Sequence, residues 1–228
     1  IGGDFLAVYV PLPEWIKTIN SGSVLLAIPG LPDGINNLLL LVAFGVQHSV
    51  MARKGFKEAT SNLVPKPLER SVYVLATCII LAWWYLAWIP MSHPVWALDG
   101  GLSVTAQALF ITGAGVVLWS TFLISHWRLF GLAQAWYAFK GIRCSEDTFG
   151  EPALYKYSRH PMYVGIVMVL WCTPYMTIGQ FVAASVWTIY IFIGISYEER
   201  DLLEYFGDTY RDYIRRVPQL LPFGRRSK

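Results

Sequence analysis

The feature that most constrains this chain is a long stretch without a single charged side chain, residues 161–197. Arg159 and His160 stand directly before the stretch, and Glu198 and Glu199 stand directly after it. A run of this kind lies in lipid or in a protein interior, because an unpaired charge is costly in either place. The basic and acidic groups are therefore predicted to lie at the two ends of an embedded segment.

This stretch is too long for one membrane helix. A continuous helix of its length would extend roughly 55 Å at ~1.5 Å per residue, whereas the hydrocarbon core of a bilayer is ~30 Å thick. Pro174 and Gly179 provide a break near its middle, because proline removes a helix donor and glycine tolerates turn geometry. We therefore predict a helical hairpin that brings His160, at the start of one leg, close to Glu198, at the end of the other.

Composition places the rest of the chain in a membrane as well. Of its 228 residues 55% are apolar and only 14% are charged, whereas about a quarter of the residues of a soluble domain are charged. Uncharged stretches cover residues 34–52, 71–98 and 100–127, each long enough for a spanning helix of ~20 residues. The predicted fold is all-α: a polytopic integral membrane protein with about five or six transmembrane helices, including the C-terminal hairpin.

Basic residues predict how these helices are oriented. Lys and Arg are frequent in residues 53–70, in residues 128–159 and in the tail after residue 199, whereas residues 91–102 contain neither. Since basic loops stay on the cytoplasmic side, the three basic segments are predicted to be cytoplasmic. The net charge of +3 then belongs to a rim near anionic membrane lipid, so nucleic acid is not predicted as a partner. No obligate protein partner is evident either.

The N-terminus begins at Ile1, and residues 1–10 look like the last turns of an apolar helix. We expect an N-terminal spanning helix that is missing or trimmed here. A cleaved signal peptide is the alternative, although no small-residue cleavage pattern supports it.

The three cysteines, Cys78, Cys144 and Cys172, lack the spacing of metal ligands. They are interpreted as small buried hydrophobic residues, so no metal site is predicted.

Arg159-His160-Pro161 is typical of the start of a helix. Proline is favoured at the first helical position, and the residue before it is pushed out of the helical region. The backbone N–H groups of Met162 and Tyr163 are then expected to be unpaired, where they would suit a carboxylate or phosphate. A plain interfacial anchor is the other interpretation, since Arg, His and Tyr all suit the membrane boundary.

The acidic pair Glu198-Glu199 is the second unusual feature, because adjacent carboxylates at the end of a membrane helix require a partner cation if they are buried. They suit a ligand with a positive centre or a ribose diol. They are equally consistent with solvation, or with a pair to Arg159.

An amphipathic pattern follows the acidic pair. Apolar and aromatic residues share one helical face, namely Leu202, Phe206, Tyr210, Tyr213 and Val217, while charged residues occupy the others. The pattern predicts an amphipathic helix on the cytoplasmic surface that Pro218 ends. Such a helix could act as a lid over the hairpin ends or simply lie on the membrane.

These C-terminal motifs resemble those of a known superfamily, the membrane methyltransferases that include isoprenylcysteine carboxyl methyltransferase and phospholipid methyltransferases. The similarity is carried by Arg159-His160-Pro161-x-Tyr163-x-Gly165, by Glu198-Glu199, by Phe206-Gly207-x-x-Tyr210-x-x-Tyr213 and by Val217-Pro218-x-x-x-Pro222. Three upstream segments resemble the bacterial methanethiol S-methyltransferases, which make dimethyl sulfide. These segments are Gln47-His48-Ser49-Val50-Met51-Ala52-Arg53, Glu69-Arg70-Ser71-x-Tyr73 and Ser125-His126-x-x-Leu129-Phe130-Gly131-Leu132.

The resemblance covers essentially the whole chain and implies one membrane methyltransferase domain, residues 1–228, in the bacterial inner membrane. It implies S-adenosylmethionine as cofactor, with S-adenosylhomocysteine as product, bound on the cytoplasmic side by about residues 126–223. The contacts that it assigns are Tyr155, His160, Pro161, Met162, Tyr163 and Glu198, and the predicted site includes the adjoining Arg159 and Glu199. Residues 147–150 depart from the family pattern, so contacts in that loop are not assigned.

The resemblance further implies a small thiol as substrate, most simply methanethiol. Prenylcysteine enzymes carry a substrate-binding arginine where this chain has Gly194, which argues against a prenylcysteine carboxylate. A thiol reacts as thiolate, and the pKa of a free thiol is about 8.5 or higher, so the protein must favour ionisation. His48 and His126, at the predicted cytoplasmic ends of their helices, are the candidate catalytic bases or orienting groups. Methylation of a lipid, another thiol or a selenol, and a non-enzymatic denitrification-associated membrane protein, are the alternatives.

Overall fold

Apolar helices make up most of the structure, a computed structural model that describes residues 16–142 and 149–221. In chain order its α-helices are α1 (Asp33–Ala52), α2 (Lys54–Thr60), α3 (Glu69–Ala87), α4 (Gly100–Ile124), α5 (His126–Leu129), α6 (Leu132–Phe139), α7 (Pro161–Trp171), α8 (Ile178–Phe206) and α9 (Asp208–Arg216). Short 3₁₀ turns cover Lys66–Leu68 and Ala153–Lys156. Within the described residues four helices, α1, α3, α4 and α8, are long and apolar enough to cross a bilayer. The prediction of a mainly helical membrane protein is confirmed.

A small β-sheet adds to this helical fold. Strand β1 (Pro94–Ala97) pairs with strand β2 (Tyr175–Thr177). The all-α prediction missed both strands, because each lies inside a stretch whose lack of charge indicates a membrane helix just as well.

The chain divides into two compact units. The first contains the described parts of Ile1–Trp96, His126–Cys144 and Met176–Ala183, and the second contains those of Ala97–Ser125, Ser145–Tyr175 and Ala184–Lys228. The division passes through α8, so this helix contributes residues to both units.

In the first unit α1 packs against α3, and two buried amides fix their ends. The Asn36 amide donates to the carbonyl of Ala87 at 3.0 Å and accepts from the N–H of Ile28 at 3.0 Å. Asn37 donates to the carbonyl of Ile89 at 2.8 Å and accepts from the N–H of the same residue at 2.9 Å. These bonds hold the chain at the end of α3 against the start of α1, where a helix no longer satisfies its own backbone.

In the second unit the backbones of α4 and α7 approach each other closely at two glycines. A Cβ atom on Gly165 would lie 2.6 Å from the carbonyl oxygen of Gly113, and one on Gly113 would lie 2.7 Å from Cβ of Met168. Small residues permit this kind of contact between apolar helices, where dispersion forces provide most of the attraction. Any larger residue at either position would separate the helices.

The predicted C-terminal hairpin forms, but its legs are unequal. Helix α7 has 11 residues and a length of about 16 Å, whereas α8 has 29 residues. Within the second unit the Trp171 indole at the end of α7 donates to Thr188 Oγ1 in α8 at 2.9 Å, so the chain does fold back. Pro174 lies in the break as predicted, but Gly179 lies inside the first turn of α8.

The predicted amphipathic helix after the acidic pair is in fact two segments. Helix α8 continues to Phe206, and Gly207, with φ 57° and ψ −126°, separates it from α9. That conformation favours glycine, because a Cβ atom would be strained there. The predicted face does come together, since Tyr210, Tyr213 and Val217 form a buried cluster.

Candidate functional site

The two ends of the hairpin meet around a buried histidine in the second unit. His160 precedes Pro161, the first residue of α7, and is only 4% exposed. Its Nε2 lies 3.1 Å from Oε1 of Glu199, and its Nδ1 lies 3.7 Å from Oε2 of Glu198. We call this group, with Arg159 and Tyr163, the carboxylate site.

The two glutamates of this site have different surroundings. Glu199 accepts a hydrogen bond from Nε of Arg159 at 2.7 Å as well as contacting His160, and its side chain is 15% exposed. Arg159 also donates through Nη1 to the carbonyls of Ile214 at 3.1 Å and Val217 at 2.8 Å. Glu198 is 45% exposed, so it has room to accept further hydrogen bonds.

Tyr163 connects the first turn of α7 to the open carboxylate. Its hydroxyl donates to Oε2 of Glu198 at 3.0 Å, and its ring lies against His160 with 5.7 Å between centroids. Its backbone N–H donates to the carbonyl of His160 at 3.1 Å, so the prediction that this N–H is unpaired is wrong. The remaining predicted contacts in this turn are Pro161, which is buried, and Met162, which is partly buried.

Tyr155 lies in the 3₁₀ turn that precedes the site. Burial, and then the negative charge of Glu198, raise the pKa of Tyr155 to about 12, so its hydroxyl stays protonated at neutral pH. Its carbonyl accepts a hydrogen bond from the hydroxyl of Tyr213 at 2.6 Å, which joins this turn to α9.

The segment after α9 pairs with the residues just before α7. The N–H of Arg159 donates to the carbonyl of Pro218 at 3.0 Å, and the N–H of His160 donates to that of Gln219 at 3.2 Å. Ser158, which is buried, donates through its hydroxyl to Gln219 at 3.3 Å. The sequence contained no signal for Ser158, because this pairing depends on residues distant in the chain.

The candidate base His48 lies in the first unit and is held at both ring nitrogens. Its Nε2 is 2.6 Å from the hydroxyl of Tyr73, and its Nδ1 is 3.3 Å from Oγ1 of Thr77. Its ring stacks on Phe44 with 5.2 Å between centroids. The other candidate, His126, begins α5, and its side chain lies outside the described part of the structure.

Chemically, the carboxylate site combines an exposed carboxylate, a phenol hydroxyl that donates to it and a buried imidazole. Glu198 suits a ligand that brings hydroxyl donors or a positive charge, since a carboxylate has several lone pairs and Tyr163 uses one. Glu199 is neutralised from within by Arg159. The site is therefore built to present one carboxylate and to keep the other paired.

Comparison with known proteins gives relatives over most of the chain. This chain is 45% identical to the methanethiol S-methyltransferase of Pseudomonas deceptionensis over 215 residues. The aligned region covers 92% of this chain and 80% of the relative. Identity to the methanethiol S-methyltransferase of Mycobacterium tuberculosis is 44%, over 83% of this chain and 78% of the relative. The Nurim homolog of Drosophila melanogaster is 27% identical over 72% of this chain and 68% of its own length. No family model matches the chain, and no solved structure matches it.

Proposed function

Because the chain belongs to the methanethiol S-methyltransferase family, we propose that it is a membrane enzyme that transfers a methyl group from S-adenosylmethionine to methanethiol, giving dimethyl sulfide. The observation that carries the proposal is the carboxylate site itself, because His160, Tyr163 and Glu198 converge from the two ends of the hairpin.

The residues that fit the methyl donor are those that leave hydrogen-bonding capacity unused. Glu198 would accept from the ribose hydroxyls or the ammonium group, and Tyr163 and His160 would hold that carboxylate in place. Pro161, Met162 and Tyr155 would line the same site. Bound there, S-adenosylmethionine would supply an electrophilic methyl group, with S-adenosylhomocysteine as its leaving group, and the site would hold that methyl in line with the thiolate acceptor.

Arg159 and Glu199 have a different role in this proposal. Their charges neutralise each other at 2.7 Å, and Arg159 is bonded in addition to the carbonyls of Ile214 and Val217. They would position α9 and the buried imidazole, not contact the donor.

Methanethiol must lose its proton to become a good nucleophile. His48 and His126 stay the candidate bases, and the structure adds Tyr73 and Thr77 as the groups that orient His48. Partners on both ring nitrogens fix the ring and its tautomer, and His48 would act as a base once the Tyr73 hydroxyl leaves Nε2 and frees its lone pair.

The protein is proposed to lie in the bacterial inner membrane with the carboxylate site facing the cytoplasm, because the loops rich in Lys and Arg belong on that side. Single cysteines placed at Asp99 and at Lys140, both exposed, test the orientation in a background without other cysteines. An impermeant thiol reagent applied from outside the membrane should label the first and not the second. Labelling of the second cysteine and not the first would contradict the proposal that the carboxylate site faces the cytoplasm and binds S-adenosylmethionine from there.

The activity is tested by measuring dimethyl sulfide in the headspace over purified protein, S-adenosylmethionine and methanethiol. Dimethyl sulfide should form, and a Glu198→Ala variant should form far less. Homocysteine, cysteine and phosphatidylethanolamine, tested as acceptors in parallel, should not be methylated. No product above the Glu198→Ala background would overturn the proposal, and methylation of homocysteine equal to that of methanethiol would remove the small-thiol assignment.

A further inference from the structure

One buried hydroxyl beside the carboxylate site has no hydrogen-bond partner. Tyr210 is 2% exposed, and its hydroxyl contacts no donor or acceptor within residues 16–142 and 149–221. Tyr213, less than one helical turn further along α9, donates to the carbonyl of Tyr155 at 2.6 Å. A buried polar group without a partner destabilises a fold, and such a group commonly has a functional or ligand-dependent reason.

Tyr210 is held rigidly on the face of α9 that is turned toward the site. Its ring lies edge-on to Phe149 at 5.9 Å and tilted against Tyr213 at 5.7 Å. Ile214 follows it by one helical turn, and the carbonyl of Ile214 accepts from the same Arg159 that pairs with Glu199. Tyr213, three residues along and on the same face, lies with its hydroxyl 3.4 Å from the carbonyl oxygen of Ser158, so this face of α9 is turned toward the segment that leads into the site.

Electrostatics point the same way. Burial, and then the charges of Glu199 and Glu198 against that of Arg159, raise the pKa of Tyr210 above its ordinary value. The phenol therefore stays protonated at neutral pH and is a hydrogen-bond donor within electrostatic reach of the carboxylate site.

We propose that Tyr210 is a binding residue for the methyl donor, an inference that rests on the proposed function. Its hydroxyl donates to an oxygen of S-adenosylmethionine, either of the ribose or of the amino-acid carboxylate. Binding would give this buried hydroxyl the hydrogen-bond partner that it lacks among the described residues. Since Tyr210 is 2% exposed, the donor reaches this hydroxyl only when the side chains packed over it move.

The substitution Tyr210→Phe removes only the hydroxyl. In the ligand-free protein the melting temperature should stay unchanged or rise, because the variant no longer buries an unpaired polar atom. In calorimetric titration, S-adenosylhomocysteine should bind about five- to tenfold more weakly, the usual loss for one hydrogen bond. Tyr213→Phe is the matched control: its hydroxyl is already bonded, so this variant should melt at a lower temperature than the parent.

The combination of results separates a ligand contact from a structural hydroxyl. A Tyr210→Phe variant that melts lower, as Tyr213→Phe does, and binds S-adenosylhomocysteine as the parent does would overturn the inference while leaving the proposed function intact. A parent protein that binds no S-adenosylhomocysteine would overturn both. Methylthioadenosine, which lacks the amino-acid end, shows which oxygen accepts the bond from Tyr210. If Tyr210→Phe binds both ligands more weakly, the acceptor is on the ribose. If it binds only S-adenosylhomocysteine more weakly, the acceptor is the amino-acid carboxylate.

Discussion

Two buried polar clusters of this protein differ in how completely they are paired. In the first unit the amides of Asn36 and Asn37 are 0% exposed, and both are bonded through oxygen and nitrogen alike. In the second unit Glu198 of the carboxylate site is 45% exposed, and the hydroxyl of Tyr210 beside the site has no partner among the described residues. A closed cluster stabilises the fold, whereas an incomplete one keeps hydrogen-bonding capacity for a ligand.

The same difference separates the two adjacent glutamates. Glu199 is paired with Arg159 and His160, while Glu198 has room for more. One carboxylate therefore belongs to the structure, and the other is the one that we propose for the ligand. Substitutions in the paired groups should change stability, and substitutions in the open groups should change binding.

The largest expected effect is on stability, in Glu199→Ala. This variant leaves the guanidinium of Arg159, 9% exposed, without its counter-charge, and breaking one side of such a buried pair costs roughly 3 kcal/mol in the free energy of unfolding. Unfolding in detergent micelles measures it. Asp201→Ala, an exposed position on the same helix, is the control and should change stability by less than ~0.5 kcal/mol. A loss in Glu199→Ala no larger than that of the control would contradict a structural role for the paired carboxylate.

A smaller loss is expected for Asn36→Ala in the closed cluster. The variant leaves the buried carbonyl of Ala87 and the partly buried N–H of Ile28 without their partner, which costs roughly 2 kcal/mol. Protein that stays folded should bind S-adenosylhomocysteine with unchanged affinity. Thr105→Ala, on the exposed surface of α4, provides the matched control. Weaker binding at unchanged stability would show that the closed cluster is part of the functional site.

Some of this organisation was predictable from the sequence, because charge in an apolar chain is sparse. The uncharged residues 161–197 and their charged ends predicted that His160 and Glu198 meet. The bounds of the elements were not predictable in the same way. Ser125, with φ 73°, ends α4 inside an uncharged stretch, and β1 and β2 form where hydropathy alone favours helix.

Which polar groups are open could not be predicted either. Glu198 and Glu199 are chemically identical neighbours, and the difference between them depends on where Arg159 meets the carbonyls of α9. Likewise Tyr210 and Tyr213 share the apolar face of one amphipathic pattern, and only the fold shows that one hydroxyl is bonded and the other is not.

The smallest expected effect concerns alkaline pH. The folded protein keeps the proton of Tyr155 up to a pKa of about 12, whereas the unfolded chain releases it near 10, so the folded state binds more protons between these values. The contribution of Tyr155 to the free energy of unfolding is therefore fully present below pH ~10 and is lost as the pH rises toward ~12. Tyr155→Phe should therefore flatten the decline in melting temperature over this range. A variant with the parent's full decline would exclude Tyr155 as a contributor.

Calorimetric titration of S-adenosylhomocysteine into the parent protein and into Glu198→Ala tests most directly whether the open carboxylate is the ligand site. We expect binding to weaken at least tenfold, about 1.4 kcal/mol, with the melting temperature of the ligand-free protein close to that of the parent. His160→Ala should weaken binding to a similar extent, since the imidazole lies 3.7 Å from the same carboxylate, and it should also lower the melting temperature, because it loses the contact with Glu199. Unchanged affinity in both variants would contradict the assignment of the carboxylate site to the methyl donor.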